Sequence, residues 1–223
     1  MTCRLLGPGV MLLLLLAGCV PAAPGTEPPG TGASASRTPA STSAPQLAAP
    51  ASASSLLVAA ARKQVGVTLL YDPAYVALAY PGGDVPQDRG VCTDVVVRAF
   101  REAGIDLQRS LHEDMRAHFA DYPRQWGSNE PDRNIDHRRV PNQMRWFDRQ
   151  GWAQPVSKLA ADYSAGDIAA WQLSGNGLLH IGIVSDRKTA DGTPLILHNI
   201  GIGTQESDIV FSHQVVGHYR PVL

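Results

Sequence analysis

One cysteine and two histidines stand in an order that suits thiol chemistry. Cys92 follows the loop-forming run 81–90 and opens a stretch in which Cys92, Val96, Ala99, Phe100 and Ala103 fall at i, i+4, i+7, i+8 and i+11, one face of a helix. Gly104 is the expected stop. A sulfur at a helix's first turn lies near unpaired N–H groups and the positive dipole end, so a lowered thiol pKa is expected. His180 opens a later apolar run and His198 closes the next. If these runs are strands joined through the Asp191-Gly192 turn, their ends fold back and the imidazoles meet. The thiolate would attack, His180 would take and return the proton, and His198 or Asn199 would fix the tautomer. A lone cysteine is more often a buried structural residue. The two histidines that follow it in order are what favour a nucleophile.

The elements that must position these residues are helices first, then strands. Residues 55–65 read as a short amphipathic helix capped by Ser54 or Ser55 and closed by Gly66. Residues 67–71 are an apolar run before the turn Asp72-Pro73, and 75–80 read as a strand leading to the Gly82-Gly83 loop. Residues 111–119 and 141–150 read as helices, the second with Pro141 at its first position. Between them, 123–140 is a polar loop. The runs 167–173, 180–185, 193–199 and 215–220 are separated by tight-turn residues, the pattern of an antiparallel sheet. The fold class is α+β.

The 223 residues carry 19 Lys and Arg against 20 Asp and Glu, a net charge of −1. No basic face dominates, which argues against nucleic acid as a partner. Cys3 and Cys19 precede the domain, so Cys92 has no disulfide partner within it. Residues 1–19 read as a secretory leader, with Arg4 before an apolar run too short to span a bilayer. The leader ends in Leu16-Ala17-Gly18-Cys19, which resembles the lipobox of bacterial lipoproteins. That resemblance implies a lipid on Cys19 and a location in the cell envelope, anchored to a bacterial membrane on its periplasmic or extracellular face. Residues 20–54 are dominated by Pro, Ala, Ser, Thr and Gly, with no aromatic residue. They read as a disordered tether with a reach of roughly 30–35 Å. Residues 55–223 form the domain.

The order of these residues, and the phrases around them, resemble the NlpC-type cysteine peptidases. That is a circularly rearranged papain-like clan that cleaves bacterial cell-wall peptides. The matching residues are Tyr80, Gly82, Gly83 and Cys92, then Gly166-Asp167, then His180-Ile181-Gly182-Ile183, then His198. More closely, the runs 71–75, 88–94, 132–141 and 198–201 are similar to a bacterial domain-of-unknown-function family in the same clan, over about residues 56–221. The resemblance implies a papain-like NlpC-type fold, with N-terminal helices packed on an antiparallel sheet. A helical and loop insertion, about 105–160, would separate the Cys helix from the His strand and cover or shape the cleft. It implies catalytic roles for Cys92, His180 and His198. The chain departs from the family's Asp-Cys-Ser-Gly by having Val91-Cys92-Thr93-Asp94. Tyr71 and Tyr80 both suit the family's substrate-side tyrosine.

Asp94 suits a loop hydrogen bond, a substrate contact or the acid favoured in a helix's first turn. His137 lies among Arg133, Arg138 and Arg139, which suit the carboxylates of acidic stem peptides or internal Asp–Arg pairs. Tyr71, Tyr80, Asp94, His137, Arg138 and Asn199 are therefore the candidate substrate-binding set. Trp126 and Trp171 suit core packing more than a cleft wall. The chain lacks Cys-x-x-Cys, a zinc-spaced His pair and a phosphate-cradling Gly loop, so no metal and no cofactor are expected. The resulting expectation is an envelope thiol hydrolase, amidase or endopeptidase, that cleaves peptidoglycan-type peptide through a thioacyl intermediate. The alternatives are a non-catalytic lipoprotein that binds cell wall or protein, and a thiol acyltransferase using the same residues.

Overall fold

The computed structural model describes residues 52–127 and 129–223; the leader, Cys19 and nearly all of the 20–54 tether lie outside them. Helix α1 (Ala53–Arg62) starts at Ser52, whose hydroxyl accepts the Ser55 N–H, slightly ahead of the expected cap. It buries Leu57, Val58, Ala60 and Ala61, one helical face. Strand β1 (Leu70–Tyr71) pairs in parallel with β2 (Arg89–Gly90). Helix α2 (Cys92–Glu102) matches the expected Cys helix. Helix α3 (Leu107–His118) starts earlier than expected because Asp106 caps it, accepting the Gln108 and Arg109 N–H groups. Helix α4 (Val140–Arg149) has Pro141 in its first turn.

The C-terminal part is a sheet of β3 (Ile168–Gln172), β4 (Leu179–Lys188), β5 (Pro194–Asn199), β6 (Thr204–Ser207) and β7 (Gln214–Tyr219). The spatial order is β6-β5-β4-β3-β7, and every neighbouring pair is antiparallel. The described residues thus form a mixed α/β fold around an antiparallel five-stranded sheet. The strand expected at 75–80 is not one. That segment finds no ladder partner; side chains from 132–134 tie it down instead, Asp132 accepting the Tyr75 hydroxyl and Asn134 the Leu78 N–H. Conversely, β6 was not expected. It is a short polar edge strand without apolar alternation.

Val95, Val96, Ala99 and Phe100 of α2 pack with Ile181, Ile183 and Leu197 of the sheet in one buried cluster. Helices α3 and α4 enter the same cluster through Leu107, Leu111, Met115 and Phe147. The Phe147 ring lies 5.8 Å from both Phe100 and Trp152. Each such side chain contributes roughly 1.5–3 kcal/mol on burial. Much of the 105–160 stretch is therefore core, not a cover laid over a finished domain. The opposite sheet face carries Ala169, Trp171, Val184 and Ile196 beneath Tyr163 and Val210. Trp171 is core as expected, its Nε1 donating to the Val210 carbonyl.

Two buried arginines hold the α2 N-terminus. Arg98 donates to the Asp84 carboxylate and to the carbonyls of Val85, Pro86 and Arg89, which fastens the loop before Cys92 onto α2. Arg138 donates from Nε and Nη2 to the two Asp94 oxygens at 2.9 and 3.0 Å, with both side chains almost fully buried. It also donates to the Ala74 and Asp72 carbonyls. Arg138→Met leaves the Asp94 carboxylate buried without its cation, so urea unfolding should report a loss of about 3–5 kcal/mol. Adding Asp94→Asn removes the stranded charge, and the double variant should lose less than the sum of the single changes.

Candidate active site

Asp94 Oδ2 accepts the Val91 N–H at 2.7 Å and closes the turn that presents Cys92. Gly90 permits that approach, since a Cβ there would lie 2.9 Å from the same oxygen. Cys92 is 4 % exposed and is the free cysteine among the described residues. It lines a cleft of about 520 Å3 together with Tyr71, Trp126, Arg139, Gln172 and Leu178.

The backbone N–H groups of Ile181, Thr93 and Cys92 itself are the nearby dipoles that favour a thiolate at the sulfur. The Ile181 contact explains how a thiol on a helix reaches the sheet. The Val184 N–H donates to Asp167 on the β3 side, and N–H directions alternate along a strand, so the Ile181 N–H faces β5. The β4–β5 ladder begins only at Ile183. Cys92 therefore occupies the gap where these two strands part.

Burial pushes the Cys92 thiol up to about 12, and the Asp94 charge adds to the rise. The three N–H groups oppose this and lose. The lowered thiol pKa expected from the helix N-terminus is overturned: removing water from around the sulfur outweighs the dipole and its donors.

The histidines are joined as the strand pattern predicted. His180 Nε2 lies 2.9 Å from His198 Nδ1, and His198 Nε2 lies 2.7 Å from Ser207 Oγ on β6. Both rings sit on the Trp171 face; the His180 and Trp171 centroids are 5.8 Å apart. Gly182 makes room for them, because a Cβ there would lie 2.6 Å from Ile196 Cγ2 and 3.0 Å from His198 Cβ. Burial, with the neighbouring His198, lowers His180 to about 3, and burial lowers His198 to about 4. Both rings are neutral at pH 7, so one nitrogen of each carries the proton. If His198 donates from Nε2 to Ser207, its Nδ1 accepts from His180 Nε2 and His180 Nδ1 is left as a free base. If the Ser207 hydroxyl donates, the series reverses and His180 Nδ1 is protonated. Among the described residues no side-chain hydrogen bond joins Cys92 to His180. Cys92 packs with Ile181, the next residue along, on the α2 face of the sheet, whereas the His180 ring lies on the Trp171 face.

The candidate substrate-binding residues separate. Tyr71 is 40 % exposed in the cleft, and burial raises its hydroxyl to about 12. Tyr80 lies elsewhere, edge-on to His112 with the Arg133 guanidinium over its ring. Asp94 and Arg138 spend their charges on each other, although Arg138 contributes to the cleft wall. His137 is buried with Nδ1 unpartnered, and burial lowers it to about 4. Asn199 is buried and donates to the Gly90 carbonyl at 3.0 Å, tying β5 to the Cys92 loop. These four were expected at the substrate; the structure uses their polar groups within the protein or encloses them. Two other residues stand near these groups. Ser207 lies on β6, which has no apolar alternation to mark it in the sequence, and bonds His198, while Trp126, expected to be core, stands exposed in the cleft. Among the described residues no group of three or more His, Cys, Asp or Glu side chains is placed to hold a metal ion.

His137, His180 and His198 all have folded pKa values below the unfolded value of about 6.5. Above pH 6.5 both states are neutral and the stability is complete. Below it the unfolded chain takes protons that the folded one refuses, and stability falls as pH drops toward 4. The slope approaches about 1.4 kcal/mol per pH unit for each histidine. Urea unfolding of His137→Phe between pH 6 and 4.5 should show the slope reduced by about that amount.

Over 160 residues the chain is 60 % identical to "Uncharacterized protein YijF" of Escherichia coli strain K12, an alignment covering 72 % of this chain and 78 % of that relative. A solved N-acetylmuramoyl-L-alanine amidase from Bacteroides uniformis superimposes with a TM-score of 0.42 at 14 % identity, over 75 % of this chain and 97 % of the amidase. A likeness at that level carries no argument about chemistry. The family described as domain of unknown function DUF1287 matches residues 58–221, and the chain belongs to that family.

Proposed function

We propose that residues 55–223 are a papain-like, NlpC-type thiol hydrolase that cleaves amide bonds of peptidoglycan peptides. The observation that carries this reading is the hydrogen-bonded series Ser207–His198–His180 on β6, β5 and β4, one residue along β4 from Ile181, which packs in the same cluster as the cleft-lining Cys92. A neutral imidazole whose far nitrogen is held by a second side chain has the form of an oriented general base. In this reading Cys92 Sγ bonds to the substrate carbonyl carbon while its proton passes to His180 Nδ1. The carbonyl oxygen takes the negative charge near the N–H groups at the start of α2. Collapse forms the thioacyl enzyme, and the amine leaves with the proton from His180. Water then attacks the thioester, again through His180, and releases the acid. Because thiol and imidazole both rest neutral, proton transfer accompanies attack and no ion pair precedes it. The reading requires the His180 ring, which rests on the Trp171 face of the sheet, to turn toward the sulfur in the substrate complex.

In the same reading, the lipobox-like Leu16-Ala17-Gly18-Cys19 and the tether support a membrane-anchored envelope protein. The burial and high pKa of Cys92 favour a second reading, a non-catalytic lipoprotein that binds cell-wall peptides in the same cleft. Incubation of the full-length protein with purified cell wall, followed by mass spectrometry of the released fragments, separates the two. Hydrolysis should produce matched new amine and carboxyl ends, and Cys92→Ala or His180→Ala should reduce release by at least about 1,000-fold. Undiminished release by Cys92→Ala sinks the hydrolase; retention on cell wall without product supports the binder. Ser207→Ala frees His198 to hold either tautomer. It should lower kcat roughly tenfold with KM unchanged, a fraction of the usual general-base contribution.

A further inference from the structure

We propose that Trp126 is a stacking platform for a pyranose ring, so that the substrate cleaved at Cys92 still carries its sugar. This rests on the hydrolase reading for the reaction but not for the binding. Three observations on one side chain point to it. Trp126 adopts φ +65°, ψ +20°, a left-handed conformation that is a genuine outlier for so bulky a residue. Strain of this kind persists where the surroundings enforce it, and it concentrates at ligand sites. The indole is 59 % exposed although it is among the largest apolar groups in the chain. It is nevertheless held in place: the Arg139 guanidinium lies over the ring, 4.4 Å from its centroid. A pinned indole with much of its surface uncovered is a preorganised contact, with little side-chain entropy left to lose on binding.

The surroundings select the ligand class. Trp126 lines the same cleft as Cys92, in company with the amides of Gln125 and Gln172, the Arg139 guanidinium and the exposed Leu178. A purely apolar occupant would desolvate the Gln125 and Gln172 amides without offering them partners, at a cost. An extended peptide backbone has no flat apolar face to lay on an indole. A hexose ring has both parts, C–H bonds on one face for the aromatic surface and hydroxyl or acetamido groups at its rim for the amides. The bond attacked at Cys92 then lies within one cleft length of a sugar, in a substrate where peptide and glycan are still joined.

The test uses the full-length Cys92→Ala protein and two probes, a disaccharide–tetrapeptide and the same tetrapeptide without sugar, with affinities from calorimetry. The sugar-bearing probe should bind about tenfold more tightly. Trp126→Ala should erase that preference and leave tetrapeptide affinity unchanged, while Trp126→Phe should restore part of it. Trp126→Gly controls for folding: glycine accepts the left-handed conformation, so its Tm should be no lower than that of the parent while the preference is lost. Equal affinity for the two probes, binding of neither, or a preference that survives Trp126→Ala overturns the platform. If the wild type binds the sugar-bearing probe with this preference and releases no product, the hydrolase reading fails and the platform stands.

Discussion

The buried pair of Asp94 and Arg138 is the interaction on which the site depends. Asp94 holds the Val91 N–H and so sets the first turn of α2 at Cys92. Arg138 neutralises that carboxylate and, with its remaining donors, fastens the 72–74 segment beside Tyr71. Thr93 adds a hydroxyl bond to the Arg138 carbonyl, so the Cys helix and the 136–138 turn are bound in both directions. Burying two charges is expensive and yields little net stability compared with apolar side chains of the same volume. What the pair supplies here is registry. It holds three segments distant in sequence at one end of the cleft, and the next residue along, Arg139, is the one that pins Trp126.

A second competition decides the resting state of the chemistry. The helix N-terminus and three N–H donors favour a thiolate at Cys92, while burial and the Asp94 charge favour the thiol, and the thiol wins. The same burial keeps His180 and His198 neutral. An enclosed site that rejected only one charge would disturb the balance between its partners. This one rejects both, so thiol and imidazole both rest neutral and the free protein stores no ion pair. The Asp94 anion beside the sulfur is thus compatible with thiol chemistry that moves the proton during attack.

The α2 helix, the histidine strands and the apolar faces were legible because each rests on local periodicity. Val96, Ala99 and Phe100 recur at helical spacing, and the β3, β4 and β5 runs lie between turn residues. The His180–His198 contact followed from hairpin logic alone. What was not legible depended on partners far along the chain. Asp94, His137, Arg138 and Asn199 are polar residues near Cys92 in sequence or motif, which is why they resembled substrate ligands. The partners of Asp94, Arg138 and Asn199 lie tens of residues away, as with Asn199 and Gly90, and His137 is simply enclosed. The sign of the thiol shift was hidden for the same reason, since the helix terminus is a local feature and the degree of burial is not. Trp126 ran the other way: its composition suggests core, and only the backbone conformation and the Arg139 contact reveal a surface role.

The separation of β4 from β5 connects these features. Were the ladder to continue past Ile183 toward His180, the Ile181 N–H would bond to β5 and no gap would admit the sulfur. Asn199, at the end of β5, gives its side-chain amide to the Gly90 and Leu70 carbonyls. The strand end is thus given to the Cys92 loop, and one unpaired strand N–H becomes a seat for the thiol. A sheet edge opened inside a sheet would ordinarily leave backbone groups unsatisfied and costly. Here the Ile181 N–H lies near the sulfur and favours its anion, and the opening leaves Cys92 within one residue of His180 along β4.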